Sequence, residues 1–313
     1  MATTIVAKMI NDETAERIRR ASGDVELRFA ASEEEFEAAL PDAEIVVGEL
    51  QPAQFARAGQ ARWLAYLSAG INHLMTPAIL QSDVIITCAK GFVGIHLAEH
   101  AFALLLGLTR DVALVTRNRS WTDNPLVARE LIGSTMGIIG LGGAGRETAK
   151  RAHAFGMRVL AVDPTPAEVP DHVEACWGMD RFHDLLEVCD VIVICAPLTP
   201  DTEEMFNTEA FGHMKSDALL INVSRGRIVE EEALVRALQQ GQIGGAGLDV
   251  LPVEPVPDDH PLWQMDNVVI TPHSAGASAM RMVRWTDTFS ENLNCYLAGE
   301  EVVLSRFDKG LGY

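Results

Sequence analysis

The chain's 313 residues exceed what one ordinary hydrophobic core organises and suit two domains, and its 48% hydrophobic and 22% charged fractions are those of a soluble globular protein. A formal net charge of −19 with only five lysines excludes a nucleic-acid partner, and it obliges any anionic ligand to find a dedicated cation at its site. No apolar run reaches the roughly 20 residues of a membrane span, the N-terminus lacks the features of a signal peptide, and five cysteines without a CxxC pair read as reduced core residues of a cytoplasmic protein.

In chain order, β-branched runs predict strands over residues 5–9, 25–29, 45–47, 63–67 and 84–87. Helical periodicity fills the gaps at 12–21, 33–40 and 52–58, with Asp12 and Ser32 as N-cap candidates. A long apolar helix over 96–115 follows, then an irregular stretch, 117–133, containing Trp121 and Pro125. Alternation resumes with strands at 136–141, 158–162, 191–195, 218–223, 245–250 and 268–271. Helices are predicted between them at 144–155, 181–188, 207–214 and 230–240, and a last one at 278–298. Strand–helix alternation of this kind means parallel sheets covered on both faces. The expectation is two doubly wound α/β domains: a Rossmann domain over 98–285 inserted into a flavodoxin-like one made of 1–97 and 286–313.

Gly140-Leu141-Gly142-Gly143-Ala144-Gly145 matches G-x-G-x-x-G, a weak pattern alone in a chain with 25 glycines. Its context strengthens it. It follows the apolar run Met136-Gly137-Ile138-Ile139, opens a helix, and precedes a second strand ending at Asp163, 23 residues beyond Gly140. Glycines let the backbone approach a pyrophosphate, whose charge is met by amides and dipole at the helix N-terminus. The Asp163 carboxylate would accept from ribose hydroxyls and repel a 2′-phosphate. No Arg or Lys follows within 164–173, so NAD is expected rather than NADP.

Three further segments place ionisable residues just beyond strands, where open α/β sheets bind ligands. They are Arg225 after Asn222-Val223-Ser224, Asp249 with Glu254 soon after, and His273 after Thr271-Pro272. Reduction of a 2-oxo acid needs a fixed cation for the carboxylate, a proton donor that titrates near neutrality, and a carboxylate to orient that donor. Arg225, His273 and Glu254 supply those three types. Each also has a structural reading: Arg225 as a strand-end cap, Glu254 as a solvated loop acid, His273 as a satisfied loop histidine. Their separation along the chain does not decide between the two.

Taken together, these segments resemble the D-isomer-specific 2-hydroxyacid dehydrogenase family over nearly the whole chain. The matching motifs run from Ser68-Ala69-Gly70-Ile71-Asn72 and Ala98-Glu99-His100-Ala101 through the glycine loop to Asn222-Val223-Ser224-Arg225-Gly226. They continue with Ala246-Gly247-Leu248-Asp249-Val250 and Thr271-Pro272-His273, and end in the tail Gly310-Leu311-Gly312-Tyr313. The resemblance implies an NAD-dependent oxidoreductase interconverting a small 2-oxo acid and its D-2-hydroxy acid, with glyoxylate and hydroxypyruvate as candidates. It implies Arg225, Glu254 and His273 as the catalytic set and Asp249 at the nicotinamide carboxamide. Cys195, Ala196, Pro197, Val223 and Ser224 would lie beside the cofactor, Leu50, Ala69 and Gly70 beside the substrate, and a homodimer would form through the cofactor domain. Pocket side chains are also expected from the last helix, around Met282 and Trp285.

The departures are Gly143-Ala144 where the family often has Arg-Ile, and Asn72 where an Asp is common. His96 and His100 fall on the apolar helix and read as structural. No His, Cys, Asp or Glu cluster shows metal-ligand spacing. Two rival readings are an NAD(H)-binding regulator of the corepressor type on the same fold and a phosphite-type dehydrogenase.

Overall fold

A computed structural model describes residues 3–8, 10–23, 25–118, 128–165, 168–310 and 312. The chain divides into two compact units, Met1–Val93 with Ser278–Tyr313, and Gly94–Ala277. Trp121 and Pro125 of the expected irregular stretch, and Leu311 and Tyr313 of the tail, lie outside the described residues.

In chain order the first unit runs β1 (Thr4–Lys8), α1 (Asp12–Ser22), β2 (Glu26–Ala30), α2 (Glu33–Ala39), β3 (Ile45–Val47), β4 (Trp63–Ala65), α3 (Pro77–Leu80) and β5 (Ile85–Thr87). The strands form a parallel sheet in the order β2-β1-β3-β4-β5, the flavodoxin-like winding expected from the sequence. Both faces are covered. Phe36, Leu40, Leu64, Ile79 and Phe307 are buried on one; Ile18, Trp63, Trp285, Phe289 and Leu293, the last three from the C-terminal helix Arg281–Leu297, are buried on the other. Buried Trp63 stacks on Phe289 with centroids 5.0 Å apart, and its indole donates to Thr87 Oγ1 at 2.9 Å, so the only polar atom of the ring is satisfied. Two local expectations are corrected. The cap of α1 is Asn11, whose Oδ1 accepts from the Thr14 amide at 2.8 Å, while Asp12 falls in the first turn, where its charge suits the helix dipole. Residues 52–57 form a 3₁₀ helix rather than an α-helix.

The second unit runs α4 (Gly94–Thr109), α5 (Val112–Asn118), β6 (Thr135–Ile139), α6 (Gly143–Ala154), β7 (Arg158–Val162), β8 (Ala175–Trp177), α7 (Phe182–Val188), β9 (Val191–Ile194), α8 (Thr208–His213), β10 (Leu219–Asn222), α9 (Glu231–Gln239), β11 (Gly245–Leu248) and β12 (Val268–Ile270). Its seven strands order as β12-β11-β10-β9-β6-β7-β8, all parallel. The inner strands are buried on both faces, which is why Val191-Ile192-Val193-Ile194 reads as an unbroken apolar run. α4 and α6 cover one face through Phe102, Leu105, Ala149 and Ala152; α7, α8 and α9 cover the other through Leu185, Phe211 and Leu234.

The single helix expected over 96–115 is two, α4 and α5. Asp111 adopts φ +54 between them, a left-handed turn that aspartate tolerates better than most residues and that apolar periodicity does not register. β8 was not expected at all. It is a three-residue, half-buried edge strand paired only with β7, too short for a pattern. Among the described residues no helix is long and apolar enough to cross a membrane. All five cysteines are free thiols, and burial pushes Cys189 and Cys195 up to about 12, leaving both protonated at neutral pH.

Candidate active site

In the second unit β6 lies between β9 and β7, so the chain winds away in opposite directions on its two sides. The carboxyl ends of β6 and β9 are therefore the position at which such sheets bind ligands. Gly140, directly after β6, has φ +90, and a Cβ there would sit 2.9 Å from the Ala196 amide nitrogen and Cα. Only glycine allows the loop after β6 to lie this close to the Cys195–Ala196–Pro197 segment after β9. Gly142 caps α6 without any side-chain acceptor, Gly143, Ala144 and Gly145 form the first turn, and a Cβ on Gly142 would meet nothing within 4 Å. A 12-residue helix thus begins with no side-chain acceptor at its cap and no acidic side chain in its first turn, which fits a pyrophosphate.

Asp163, at the end of β7, turns Oδ2 to the Leu141 amide at 2.8 Å and Oδ1 to the Thr165 amide at 2.9 Å. Its carboxylate therefore braces the glycine loop from both oxygens. The structure adds a cation that the sequence reading missed. Arg146 of α6 reaches across this region, donating to the carbonyls of Leu141 (3.1 Å) and Glu168 (2.7 Å).

The catalytic candidates converge through loop contacts. After β10, buried Asn222 clamps the turn, accepting from the Ser224 amide and donating to the Arg225 carbonyl, both at 3.0 Å. Ser224 Oγ donates to the Ala196 carbonyl, tying this turn to the segment after β9, and Val223 is buried beneath it. Arg225 Nη1 donates to the Ser224 carbonyl at 2.7 Å, and among the described residues no carboxylate pairs with the guanidinium. Burial pushes Arg225 below its ordinary value while nearby Glu254 pulls the other way; a guanidinium stays charged regardless. Gly226 explains the proximity. A Cβ on it would lie 1.9 Å from the Leu251 carbonyl carbon, so the turn after β10 rests directly on the loop that carries Glu254. Gly226→Ala is expected to cost about 1–3 kcal/mol or more, because backbone must shift, and to lower melting temperature and turnover together. A variant unchanged in both would show that the contact is dispensable.

Glu254 Oε1 accepts from the Leu251 amide at 3.1 Å, and Oε2 accepts from His273 Nδ1 at 2.7 Å. That bond fixes the tautomer and leaves Nε2 without a hydrogen bond among the described residues, on a ring that is half exposed. His273 has φ +50, a conformation costing a non-glycine residue about 1–3 kcal/mol. It is held there by its own amide, which donates to the Asp249 carbonyl at 2.8 Å and the Thr271 carbonyl at 3.0 Å.

Asp249, 1% exposed, organises the whole turn. Its carboxylate accepts from Thr271 Oγ1 (2.6 Å), the Ser274 amide (2.9 Å) and the Ala275 amide (2.8 Å). His100 Nε2 of α4 stands 2.8 Å from Thr271 Oγ1 and 3.2 Å from Asp249 Oδ1. His100 is therefore more than an anonymous core histidine: it braces the carboxylate beneath His273. Nothing in the spacing of residues 100, 249 and 271 announces this network. His96 is buried on α4.

In the first unit, Ala69 and Gly70 are half-buried in the loop after β4, where Ser68 Oγ donates to Glu49 Oε1 at 2.6 Å. Leu50, expected beside the substrate, is fully buried in that unit's core, so its side chain offers no contact surface. Trp285 is likewise a core residue, 3% exposed, with its indole donating to the Tyr66 carbonyl at 2.9 Å. Apolarity alone does not separate a pocket wall from a core.

A glycine-turn helix suited to an anion, next to an arginine, a carboxylate–imidazole pair and a doubly wound sheet, defines a dinucleotide-binding oxidoreductase. Residues 102–275 match the family described as D-isomer specific 2-hydroxyacid dehydrogenase, NAD binding domain. The chain is 34% identical over 255 residues to a glyoxylate reductase of Korarchaeum cryptofilum, covering 79% of this chain and 76% of that one. It is 31% identical over 299 residues to a D-3-phosphoglycerate dehydrogenase of Methanocaldococcus jannaschii, covering 92% of this chain but 56% of the relative. A D-isomer specific 2-hydroxyacid dehydrogenase of Xanthobacter autotrophicus, solved in complex with NADPH and MES, superposes with a TM-score of 0.87 at 28% identity over 100% of both chains. The chain belongs to the D-isomer specific 2-hydroxyacid dehydrogenase family and is an oxidoreductase.

Proposed function

We propose that the protein reduces a small 2-oxo acid to its D-2-hydroxy acid at the Arg225–Glu254–His273 site, with NAD as its dinucleotide, Gly94–Ala277 serving as the cofactor domain and the other unit as the substrate domain. The observation that carries the reading is the 2.7 Å bond from His273 Nδ1 to Glu254, with Nε2 left to a ligand, near an arginine that forms no direct ion pair among the described residues. Bound nicotinamide supplies the hydride. The chain's own part is to hold and protonate the acid. Arg225 takes the substrate carboxylate and polarises the neighbouring carbonyl, since its fork is planar and permanently charged. His273 Nε2–H donates to the carbonyl oxygen as negative charge develops there, and Glu254 stabilises the imidazolium that makes this donation possible. In oxidation the same nitrogen accepts the hydroxyl proton. The glycine-loop residues Gly140, Gly142, Gly143, Ala144 and Gly145 take the pyrophosphate, Asp163 the ribose, and Cys195–Pro197, Val223 and Ser224 the nicotinamide half, while buried Asp249 braces the turn that carries His273.

The glyoxylate reductase relatives and a similar solved glyoxylate/hydroxypyruvate reductase make glyoxylate and hydroxypyruvate the first substrates to try; a phosphorylated acid, as in the phosphoglycerate dehydrogenase relative, is disfavoured on a chain with net charge −19 and five lysines. NAD over NADP rests on the Asp163 carboxylate, which repels a 2′-phosphate. Arg146, anchored on two carbonyls nearby, is a cation that offers the opposite. Steady-state kinetics with glyoxylate, hydroxypyruvate and longer oxo acids should give kcat/KM with NADH at least about tenfold above NADPH, a difference of roughly 1.4 kcal/mol. A preference for NADPH would reverse the assignment to Asp163, and no turnover with any oxo acid would remove the substrate class. The dimer is proposed through α4 and α5, where Ala103, Gly107 and Val112 line an apolar groove; a monomer by light scattering would dispose of it.

A further inference from the structure

On the face of the second unit covered by α7 and α8, the fold brings together four side chains that the reaction does not use. α7 carries His183 and Glu187, and α8 carries Glu209 and His213; each pair is spaced i, i+4 and so occupies one helix face. The two faces meet. The imidazoles of His183 and His213 stack with centroids 4.3 Å apart and 9° between planes. The ligating atoms of His183, Glu209 and His213 lie within 4.8 Å of one another. Glu187 Oε1 accepts from His213 Nδ1 at 2.8 Å. Beneath this surface the helices are anchored by buried Phe182, Leu186, Ala210 and Phe211. Asn207 caps α8 by accepting from the amides of Glu209 and Ala210 at 3.0 and 3.1 Å. The cluster is held by its scaffold rather than by contacts among its own members alone.

We infer that His183, Glu209 and His213 form a site for one divalent transition-metal ion of borderline softness, with zinc, cobalt and nickel the fitting ions. Two imidazoles and a carboxylate are a mixed nitrogen and oxygen set, which suits these ions and not calcium or magnesium, whose sites are built from oxygen. Glu187 is the positioning residue. By accepting from Nδ1 of His213 it leaves Nε2 as the nitrogen to ligate, the carboxylate–histidine arrangement that recurs behind metal ligands. Two half-buried histidines and an exposed glutamate leave room for solvent to complete the coordination shell. Bound metal would clip α7 to α8 across the outside of the sheet and stabilise the unit without touching Arg225, Glu254 or His273. Linear spacing hid the site, because strand β9 intervenes between its halves. The legible signal was the repetition of His and Glu four residues apart on two successive short helices.

The test uses the full chain without an affinity tag, stripped with chelator and titrated with Co²⁺ while the visible d–d absorption is followed, then with Zn²⁺ in competition. One equivalent of Co²⁺ should bind with a saturable visible band, and Zn²⁺ should displace it. Zn²⁺ at a hundred times its dissociation constant should raise the melting temperature by about 5 °C. His183→Ala and His213→Ala should each weaken binding by about 100-fold or more and remove the melting shift, with kcat for oxo-acid reduction unchanged as the control for folding. Glu187→Gln should weaken binding by about 10–100-fold. Absence of saturable binding at micromolar metal would overturn the inference. So would binding that survives both histidine variants, or binding that disappears instead in His273→Ala.

Discussion

His273→Ala should lower kcat for oxo-acid reduction by about 10²–10⁴-fold and leave the dissociation constant for the dinucleotide within about twofold, measured by stopped-flow turnover and by quenching of protein fluorescence. The expectation rests on where the ring's two nitrogens go. Nδ1 is committed to Glu254 at 2.7 Å, so Nε2 is the atom left to exchange a proton with substrate. The ring is aimed by strain that its backbone absorbs: φ +50 is maintained by bonds from the His273 amide to the carbonyls of Asp249 and Thr271. Alanine in this place keeps those amide bonds and removes the proton, so a collapse of the fold is not the expected cause of lost rate. Glu254→Gln is the finer instrument. A glutamine oxygen can still accept from Nδ1, which preserves the tautomer, but the negative charge that favours imidazolium is gone. The rate loss should therefore be smaller than for His273→Ala. Equal turnover in His273→Ala and the unmodified protein would take the imidazole out of the reaction.

The parts of this arrangement that could be read from the sequence are those where local pattern and chemistry coincide. β6, the glycine turn, α6, β7 and Asp163 form one continuous stretch in which an apolar run, a glycine spacing and a carboxylate each predict the next, and the structure keeps that order. Arg225, Glu254 and His273 were legible as residue types placed after strands. Their convergence was not, because it depends on Gly226 letting one loop rest on another and on a left-handed histidine, neither of which has a periodicity. The support beneath them was hidden more deeply. Asp249 looked like a ligand contact, but its oxygens also gather Thr271, Ser274, Ala275 and His100, a network joining α4 to the turn after β12. A histidine on an apolar helix carries no mark that its partner lies far along the chain. The errors at Leu50 and Trp285 have the opposite origin: large apolar residues near a predicted site were assigned to its wall, and the core claimed them.

Arg225→Lys tests whether the cation acts as a charge or as a fork. Lysine keeps the charge but cannot present two parallel donors to a carboxylate and its neighbouring carbonyl. The expected loss in kcat/KM for an oxo acid is about 10²–10³-fold, comparable to deleting a positioned donor to a developing oxyanion, with Arg225→Ala worse still. Context makes the dependence severe. Far from the site the chain repels an anion, carrying a net charge of −19, and among the described residues the guanidinium forms no direct ion pair, although Glu254 lies near enough to act on it. Long-range repulsion between exposed charges is screened within about 8 Å at physiological salt, whereas the short contact to a half-buried arginine is screened much less. Raising the salt from 0.05 to 0.3 M should therefore increase kcat/KM for the anionic substrate in the unmodified enzyme, by about two- to threefold. In Arg225→Ala the same relief should appear on a far lower baseline. If Arg225→Lys matched the unmodified enzyme, a point charge would suffice and the bidentate hold on the carboxylate would have to be abandoned. If salt instead depressed kcat/KM, a cationic approach path would have to exist that the distribution of 25 basic and 44 acidic residues gives no reason to expect.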